Sequence, residues 1–404
     1  KGIMQLIIHR GTHEIGGSCV EIRDKNTRLL LDLGLPLNDA ENIKLNINGL
    51  YKNDKSEING IFITHSHPDH YGLLDSVNPE IPIYTSKITA NIIQNVSEIK
   101  GEDNYSDLNL NIIEKPVNIG DFTIIPHNVD HSAAGSLAYE IIDNSKKILY
   151  TGDLRFHGRT SYLSKNLFKL KDVDYLIMEG STLDRPDQKI KTEDDVFDEM
   201  ANVFTTNKLC FVSFSSQNLD RFISVYKACL KTKKTLVIDP YTCFVLENFK
   251  EISKNIPQWN WNNIRVYFGG GKHTENLADS GKLFTYKSKK ISAEEILSYT
   301  EKYVVKTAKA ICDKILSIYD VSKIEYIYSM WSGYLDNPSY LDILKPQIRH
   351  IHTSGHAYIK DLQEFVRKIE PKVIIPIHTQ LPEKYTELYD AEIKILKDGE
   401  ILNL

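Results

Sequence analysis

The chain is poor in the features that would place it outside ordinary globular proteins. Its five cysteines in 404 residues (Cys19, Cys210, Cys229, Cys243, Cys312) are odd in number, widely spread and free of any CxxC spacing. That argues against a disulfide framework or a thiolate zinc site and leaves core thiols. No apolar run approaches the ~20 residues of a membrane span, and Lys1-Gly2-Ile3-Met4 lacks the apolar core of a signal peptide. The expectation is a soluble, cytoplasmic protein with no membrane partner. Charge of one sign is also lacking: a net −5 argues against indiscriminate polyanion binding. A local basic surface from Lys231, Lys233 and Lys234, or from Lys287, Lys289 and Lys290, remains open, beside the plainer reading of solvated faces. There is no internal repeat and no low-complexity linker. With 41% apolar and 25% charged residues, the chain is long enough for two domains with their own cores.

What is present is concentrated in Thr64-His65-Ser66-His67-Pro68-Asp69-His70. Three imidazoles and a carboxylate follow the apolar run Gly60-Ile61-Phe62-Ile63, and Pro68 is expected to stop regular structure, putting the donors on a strand-to-helix loop. His65 and His67, two apart, leave an extended backbone on the same side; the adjacent Asp69 and His70 must diverge. Two metal ions a few ångströms apart follow, with imidazole favouring zinc and mixed ligation tolerating manganese.

Further donors stand at strand ends. His131 follows Phe122 to Pro126, Asp153 follows Leu149 to Thr151, and His378 follows Val373 to Ile377. Gly152 lets the Asp153 loop approach closely enough for the carboxylate to bridge two cations. Asp32, ending Leu29-Leu30-Leu31, is suited to hold a ligand imidazole by its other ring N–H. Short strands dominate to Met178. After Glu179 strands and helices alternate (helix 193–206, strand 210–214, helix 219–230, strand 235–238, helix 243–253), which implies a parallel, doubly wound sheet. The earlier style resumes near the C-terminus. The expected division is 1–190, an insert at 191–345, and a return segment at 346–404.

The ordered set Asp32, His65, His67, Asp69, His70, His131 and Asp153 resembles the motifs of the metallo-β-lactamase superfamily. Three later sites resemble its β-CASP branch: Glu179 in Met178-Glu179-Gly180-Ser181-Thr182, His356 in Ser354-Gly355-His356-Ala357, and His378 in Ile375-Pro376-Ile377-His378. The segments Gly11 to Gly17 and Asp32-Leu33-Gly34-Leu35 are similar to the opening of ribonuclease J proteins. The chain departs from the bacterial ribonuclease J pattern by ending soon after His378 and by following the Ser-Asn loop only loosely at Ser213 to Asn218. The resemblance implies an αββα sandwich with an inserted β-CASP domain, and RNA as substrate, since His at the third extra motif marks RNA-acting members where Artemis-like DNA nucleases carry Val.

On that resemblance, His65, His67 and His131 are expected to hold one ion, Asp69, His70 and His378 the other, and Asp153 both. Asp69 would orient the attacking water or receive its proton. His356, held by Glu179, would protonate the leaving oxygen. Ser354 and the amides near Gly355 and His356 are expected to form an anion pocket at a helix start, completed by Ser215, Ser216 and Arg221. Such a pocket favours a 5′-monophosphate, hence 5′-to-3′ exonuclease action on single-stranded RNA, with endonuclease cutting also open. Arg155, His157 and Arg159 are candidate phosphate contacts, and Tyr71, Phe156 and Tyr358 candidate platforms for bases. A homodimer, a DNA nuclease and a thioesterase- or lactonase-type hydrolase all stay open at this point.

Overall fold

In the computed structural model, residues 3–37, 44–101, 105, 108–143, 146–185 and 188–404 are described. The chain divides into two compact units: Lys1–Gln94, Asp103–Ile190 and Gly355–Leu404 form one, Asn95–Glu102 and Lys191–Ser354 the other.

The first unit is built on two seven-stranded sheets. Along one, the order is Ile401–Asn403, Gln5–Arg10, Cys19–Arg23, Arg28–Leu31, Gly60–Phe62, Ile83–Thr85 and Leu110–Ile112; along the other, Glu392–Ile393, Val373–Ile377, Tyr175–Glu179, Lys147–Tyr150, Leu137–Ile142, Phe122–Asn128 and Val117–Ile119. The run Leu29-Leu30-Leu31 shows why the sheets stack. Successive side chains point to opposite faces, so Leu29 and Leu31 join Phe62, Phe122, Tyr139, Ile148 and Ile177 between the sheets. Leu30 instead faces the outer layer with Ile61, Leu50, Tyr71 and Leu74. The far face of the second sheet, with Leu149, Leu176 and Ile374, is covered by Leu362, Phe365 and Val366 of helix Ile359–Ile369. This is the αββα sandwich.

The second unit holds one all-parallel sheet, in the order Lys290–Ile291, Ile264–Tyr267, Thr235–Ile238, Tyr303–Lys306, Leu209–Ser213, Ile324–Tyr328 and Ile348–His350. The chain returns to the first unit at Gly355, nine residues beyond the boundary expected from sequence, because Ile348–His350 pairs with Ile324–Tyr328. All five cysteines are buried and free. Among the described residues, no helix is long and apolar enough to cross a membrane.

A buried carboxylate staples three neighbouring strands of the first sheet. Glu21 is 1% exposed and lies 2.8 Å from both His9 Nε2 and Arg28 Nε on the flanking strands. Burial works against its charge, yet the bonds from His9 and Arg28 win and lower its pKa to about 2. A depressed carboxylate stabilises the fold above its unfolded pKa of about 4.5 and loses that contribution as pH falls towards about 2. Glu21→Gln is therefore expected to cost ~1–3 kcal/mol at pH 7 and to flatten the acid limb of urea-unfolding stability in that window, measured on chelator-treated protein. An unchanged acid limb would show that Glu21 contributes nothing there.

Candidate metal centre

Parallel strands end at a common edge, and this places the donors. Strands Lys147–Tyr150, Tyr175–Glu179 and Val373–Ile377 pair in parallel, with Glu179 level with Ile377, so Asp153, Glu179 and His378 emerge together. On the other sheet, Arg28–Leu31 and Gly60–Phe62 pair in parallel, bringing Asp32 beside Thr64 and His65. Pro68 does not end regular structure as expected. It opens the short helix Pro68–Tyr71, since the amide it lacks is unpaired at a first helical position anyway. That turn is pinned by Leu33 N to His70 O (2.8 Å), Leu35 N to Pro68 O (3.0 Å) and Ser18 N to Asp69 O (3.1 Å). Gly34 makes this possible: a Cβ there would sit 1.6 Å from the Asp69 carbonyl oxygen. Gly152 likewise combines φ +52 with a position where a Cβ would lie 2.7 Å from Thr64.

Three imidazoles converge. His65 Nε2 lies 3.1 Å, and His131 Nε2 3.2 Å, from His67 Nδ1, with Asp153 Oδ2 at 3.7 and 3.9 Å from His65 Nε2 and His131 Nε2. Next to them, His70 Nε2 is 3.1 Å from Asp153 Oδ2 and 3.8 Å from Asp69 Oδ2, and His378 Nε2 is 3.2 Å from Asp69 Oδ2. The donors form the groups His65, His67, His131, Asp153 and Asp69, His70, His378, each with its ligand atoms within 4.8 Å of one another, and a third such group, Asp153, Glu179, His356, His378, adjoins them. Asp153 thus faces both of the first two. Asp32 Oδ2 accepts from Tyr150 OH at 2.7 Å and lies 2.8 Å from His70 Nδ1, while its Oδ1 accepts from Thr64 N at 2.7 Å. The His70 ring is thereby oriented with Nε2 inward. Gly355 O does the same for His131, 2.6 Å from Nδ1.

The donor chemistry fits a divalent cation. Burial first, then the neighbouring imidazoles, lowers the pKa of His65 and His131 well below the usual range. Burial outweighs the carboxylates at His67 and lowers it to about 4. All three rings are therefore neutral at pH 7 and present lone pairs. Opposite them, burial opposes charge on Asp69 and Asp153, but His70 and His378 hold Asp69 at about 2 and, with His356, keep Asp153 well below the usual range. Two buried polar atoms in this cluster, His70 Nε2 and Asp153 Oδ1, have no hydrogen-bond partner. Desolvating such atoms without a partner is costly, and a divalent cation held by this cluster would satisfy them.

Glu179 and His356 stand beside this cluster. His356 Nδ1 is 3.0 and 3.1 Å from the two Glu179 oxygens and 3.7 Å from Asp153 Oδ2. Burial opposes protonation of His356, but Glu179 and Asp153 prevail and raise its pKa to about 9. Glu179 also accepts from Leu154 N, Ser181 N and Ser181 Oγ, so its lone pairs are committed to orienting neighbours.

Comparison with known proteins agrees with this geometry. The Beta-lactamase superfamily domain matches residues 31–203, and the Zn-dependent metallo-hydrolase RNA specificity domain matches 343–386, the stretch holding His356 and His378. The chain is similar to the probable RNase MJ4 of Methanocaldococcus jannaschii, with 22% identity over 93% of each chain. It is also similar to ribonuclease J of Helicobacter pylori, with 23% identity over 91% of this chain and 55% of that one. The chain belongs to the metallo-β-lactamase superfamily, in its β-CASP, ribonuclease J-like branch. A solved structure of a protein of unknown function from Enterococcus faecalis V583 shares the fold at a TM-score of 0.78, with 22% identity and full coverage of both chains.

Several expected substrate contacts of this β-CASP protein are engaged elsewhere. Arg221 is fully buried: its Nη2 is 3.0 Å from Glu193 Oε1, its Nη1 donates to Ser329 O at 2.7 Å, and Nη2 also donates to Thr353 O at 3.1 Å. It is a structural ion pair and no phosphate ligand. Ser216 is buried against Thr242 Oγ1 at 2.8 Å; Ser215 alone of that trio is exposed. The helix expected to start at Ser354 and Gly355 begins at Ile359, so those amides are not its N-terminal amides. Arg155 is fully buried with Nε 3.4 Å from Asp130 Oδ1. That pair joins the loops of His131 and Asp153 rather than meeting substrate, and Arg159 keeps partial exposure. The ring platforms are also core: Tyr71 packs on Tyr105, Phe156 on Phe168 and Phe365, and Tyr358 on His157. Sequence reasoning missed Tyr150, Thr64, Asp130 and Ser181, common residue types whose partners are distant in the chain.

Proposed function

We propose that the protein is a metal-dependent ribonuclease that hydrolyses phosphodiester bonds of single-stranded RNA, with two zinc ions, or manganese, as cofactors. His65, His67 and His131 would hold one ion, Asp69, His70 and His378 the other, and Asp153 both. Such a pair of dications supplies Lewis acidity, lowering the pKa of water and offsetting charge on the phosphate. The protein's own residues do the rest. The Asp69 carboxylate would orient the attacking water and receive its proton. His356, cationic at neutral pH beside Glu179, donates a proton to the leaving oxygen.

The observation that carries this reading is the Glu179–His356 pair at 3.0 Å beside the donor cluster, since an acid poised there suits a poor alkoxide leaving group. RNA is favoured by the RNA specificity domain match over 343–386 and by relatives named as ribonucleases. The 5′-to-3′ preference for 5′-monophosphate ends follows from the expected anion pocket, for which Gly355 and Arg159 of the first unit stay candidates, with endonuclease cutting as the alternative.

The test is to incubate the zinc-loaded protein and His356→Ala with RNA and DNA strands of one sequence, bearing 5′-phosphate, 5′-hydroxyl or 5′-triphosphate, and to map the products. RNA with a 5′-monophosphate is expected to shorten from that end, and His356→Ala to slow turnover by about 10²–10⁴-fold. Equal cutting of DNA, or full activity of the variant, would count against the assignment; inertness towards every strand together with thioester turnover would sink it.

A further inference from the structure

We propose that Ser181 is a positioning residue for His378: its hydroxyl dictates which ring nitrogen of that histidine is bare, and so prepares one of the two cation positions. The inference rests on the two-cation reading above and deepens it.

Ser181 Oγ is buried and lies 2.7 Å from Glu179 Oε2 and 2.8 Å from His378 Nδ1. A serine hydroxyl has a single hydrogen, and a carboxylate only accepts. The purely accepting neighbours of Ser181 Oγ are Glu179 Oε2 at 2.7 Å and the His378 carbonyl oxygen at 3.3 Å, and the hydrogen goes to the nearer, charged Glu179. The contact to His378 is then made in the other direction, with Nδ1–H donating to Oγ. The consequence is a bare Nε2, and Nε2 is the nitrogen aimed at Asp69 Oδ2, 3.2 Å away, on the side of the Asp69, His70, His378 group. Without the hydroxyl, the nearest acceptor left to Nδ1 is Asp153 Oδ1 at 3.6 Å, beyond hydrogen-bond reach, and the carboxylate of Asp69 at 3.2 Å draws the hydrogen to Nε2, where it blocks ligation.

A second observation points the same way. His378 has φ +52, a left-handed conformation that non-glycine residues seldom adopt and that persists only where surroundings impose it. Ser181 Oγ also lies 3.3 Å from the His378 carbonyl oxygen, and His378 N donates to Gly11 O at 2.8 Å. The serine thus contacts both the ring and the backbone of this residue. It also joins the Glu179 carboxylate that holds His356 to the ring of His378, so one hydroxyl aligns a proton donor and a cation ligand.

The test compares Ser181→Ala and Ser181→Thr with wild type in zinc titration against a chromophoric chelator, in ¹⁵N spectra of histidine-labelled protein, and in thermal unfolding. Ser181→Ala is expected to weaken the second zinc by about 10–100-fold while leaving the first unchanged. The His378 signal, assigned with His378→Gln, is expected to lose its Nδ1–H tautomer. Ser181→Thr, which keeps the hydroxyl, should restore both. On RNA, Ser181→Ala should lower kcat with KM unchanged. Equal weakening of both zincs, an unaltered His378 tautomer, or threonine behaving as alanine at unchanged melting temperature would overturn the proposal. Loss of the second zinc in a protein that cleaves no RNA would instead leave it standing and overturn the ribonuclease reading.

Discussion

Asp153→Ala is expected to lower RNA hydrolysis by on the order of a thousand-fold or more, the equivalent of several kcal/mol of lost transition-state stabilisation, and to leave the protein with at most one tightly bound zinc. The size of the effect follows from its place. Asp153 is the one predicted ligand facing both donor groups, with Oδ2 3.1 Å from His70 Nε2 and 3.7 Å from His65 Nε2, and Oδ1 3.6 Å from His378 Nδ1. Truncating any single imidazole leaves the rest of its group intact; truncating Asp153 depletes both. Elemental analysis after desalting, with circular dichroism to establish folding, is the measurement. Wild-type metal content or wild-type turnover on 5′-phosphorylated RNA would remove Asp153 from the centre.

Arg221→Ala is expected to destabilise the unit spanning Lys191–Ser354 by ~3–5 kcal/mol, because it strands a buried Glu193 carboxylate without its cation. Glu193 is 1% exposed, and Arg221 supplies it with bonds at 3.0 and 3.2 Å. Replacing both partners with apolar residues of similar volume should cost far less, since a buried pair is expensive to break yet adds little over good packing. Tryptophan fluorescence isolates the effect: Trp259, Trp261 and Trp331 are the chain's three tryptophans, and all lie in this unit. A urea midpoint unchanged in Arg221→Ala would show that the pair carries no stability and would reopen Arg221 as a substrate contact.

That arginine illustrates what a sequence conceals. Arg221 follows the helix N-cap Asn218 and reads like a cation offered to a phosphate, since charge alone does not distinguish a solvent-facing arginine from one neutralised in a core. Arg155 was misleading for the same reason. The strands Tyr303–Lys306 and Ile324–Tyr328 were also not foreseen. They are four and five residues long, and short apolar runs are not separable by periodicity from buried helix segments. Ser181 carried no signal at all, because the residue it serves is 197 positions away.

By itself the sequence determined the chemistry: a dense local set of imidazoles and a carboxylate in His65 to His70, which covalent neighbourhood alone keeps together, and an ordered series of motifs that names the superfamily. Tertiary structure alone decided which donors lie together, which buried group each histidine ring nitrogen faces, and which arginines are buried in ion pairs. The reason is physical. Ligand grouping depends on parallel strands from distant parts of the chain ending at one edge. Protonation depends on burial and on neighbours brought there by folding, and neither is written in spacing along the chain.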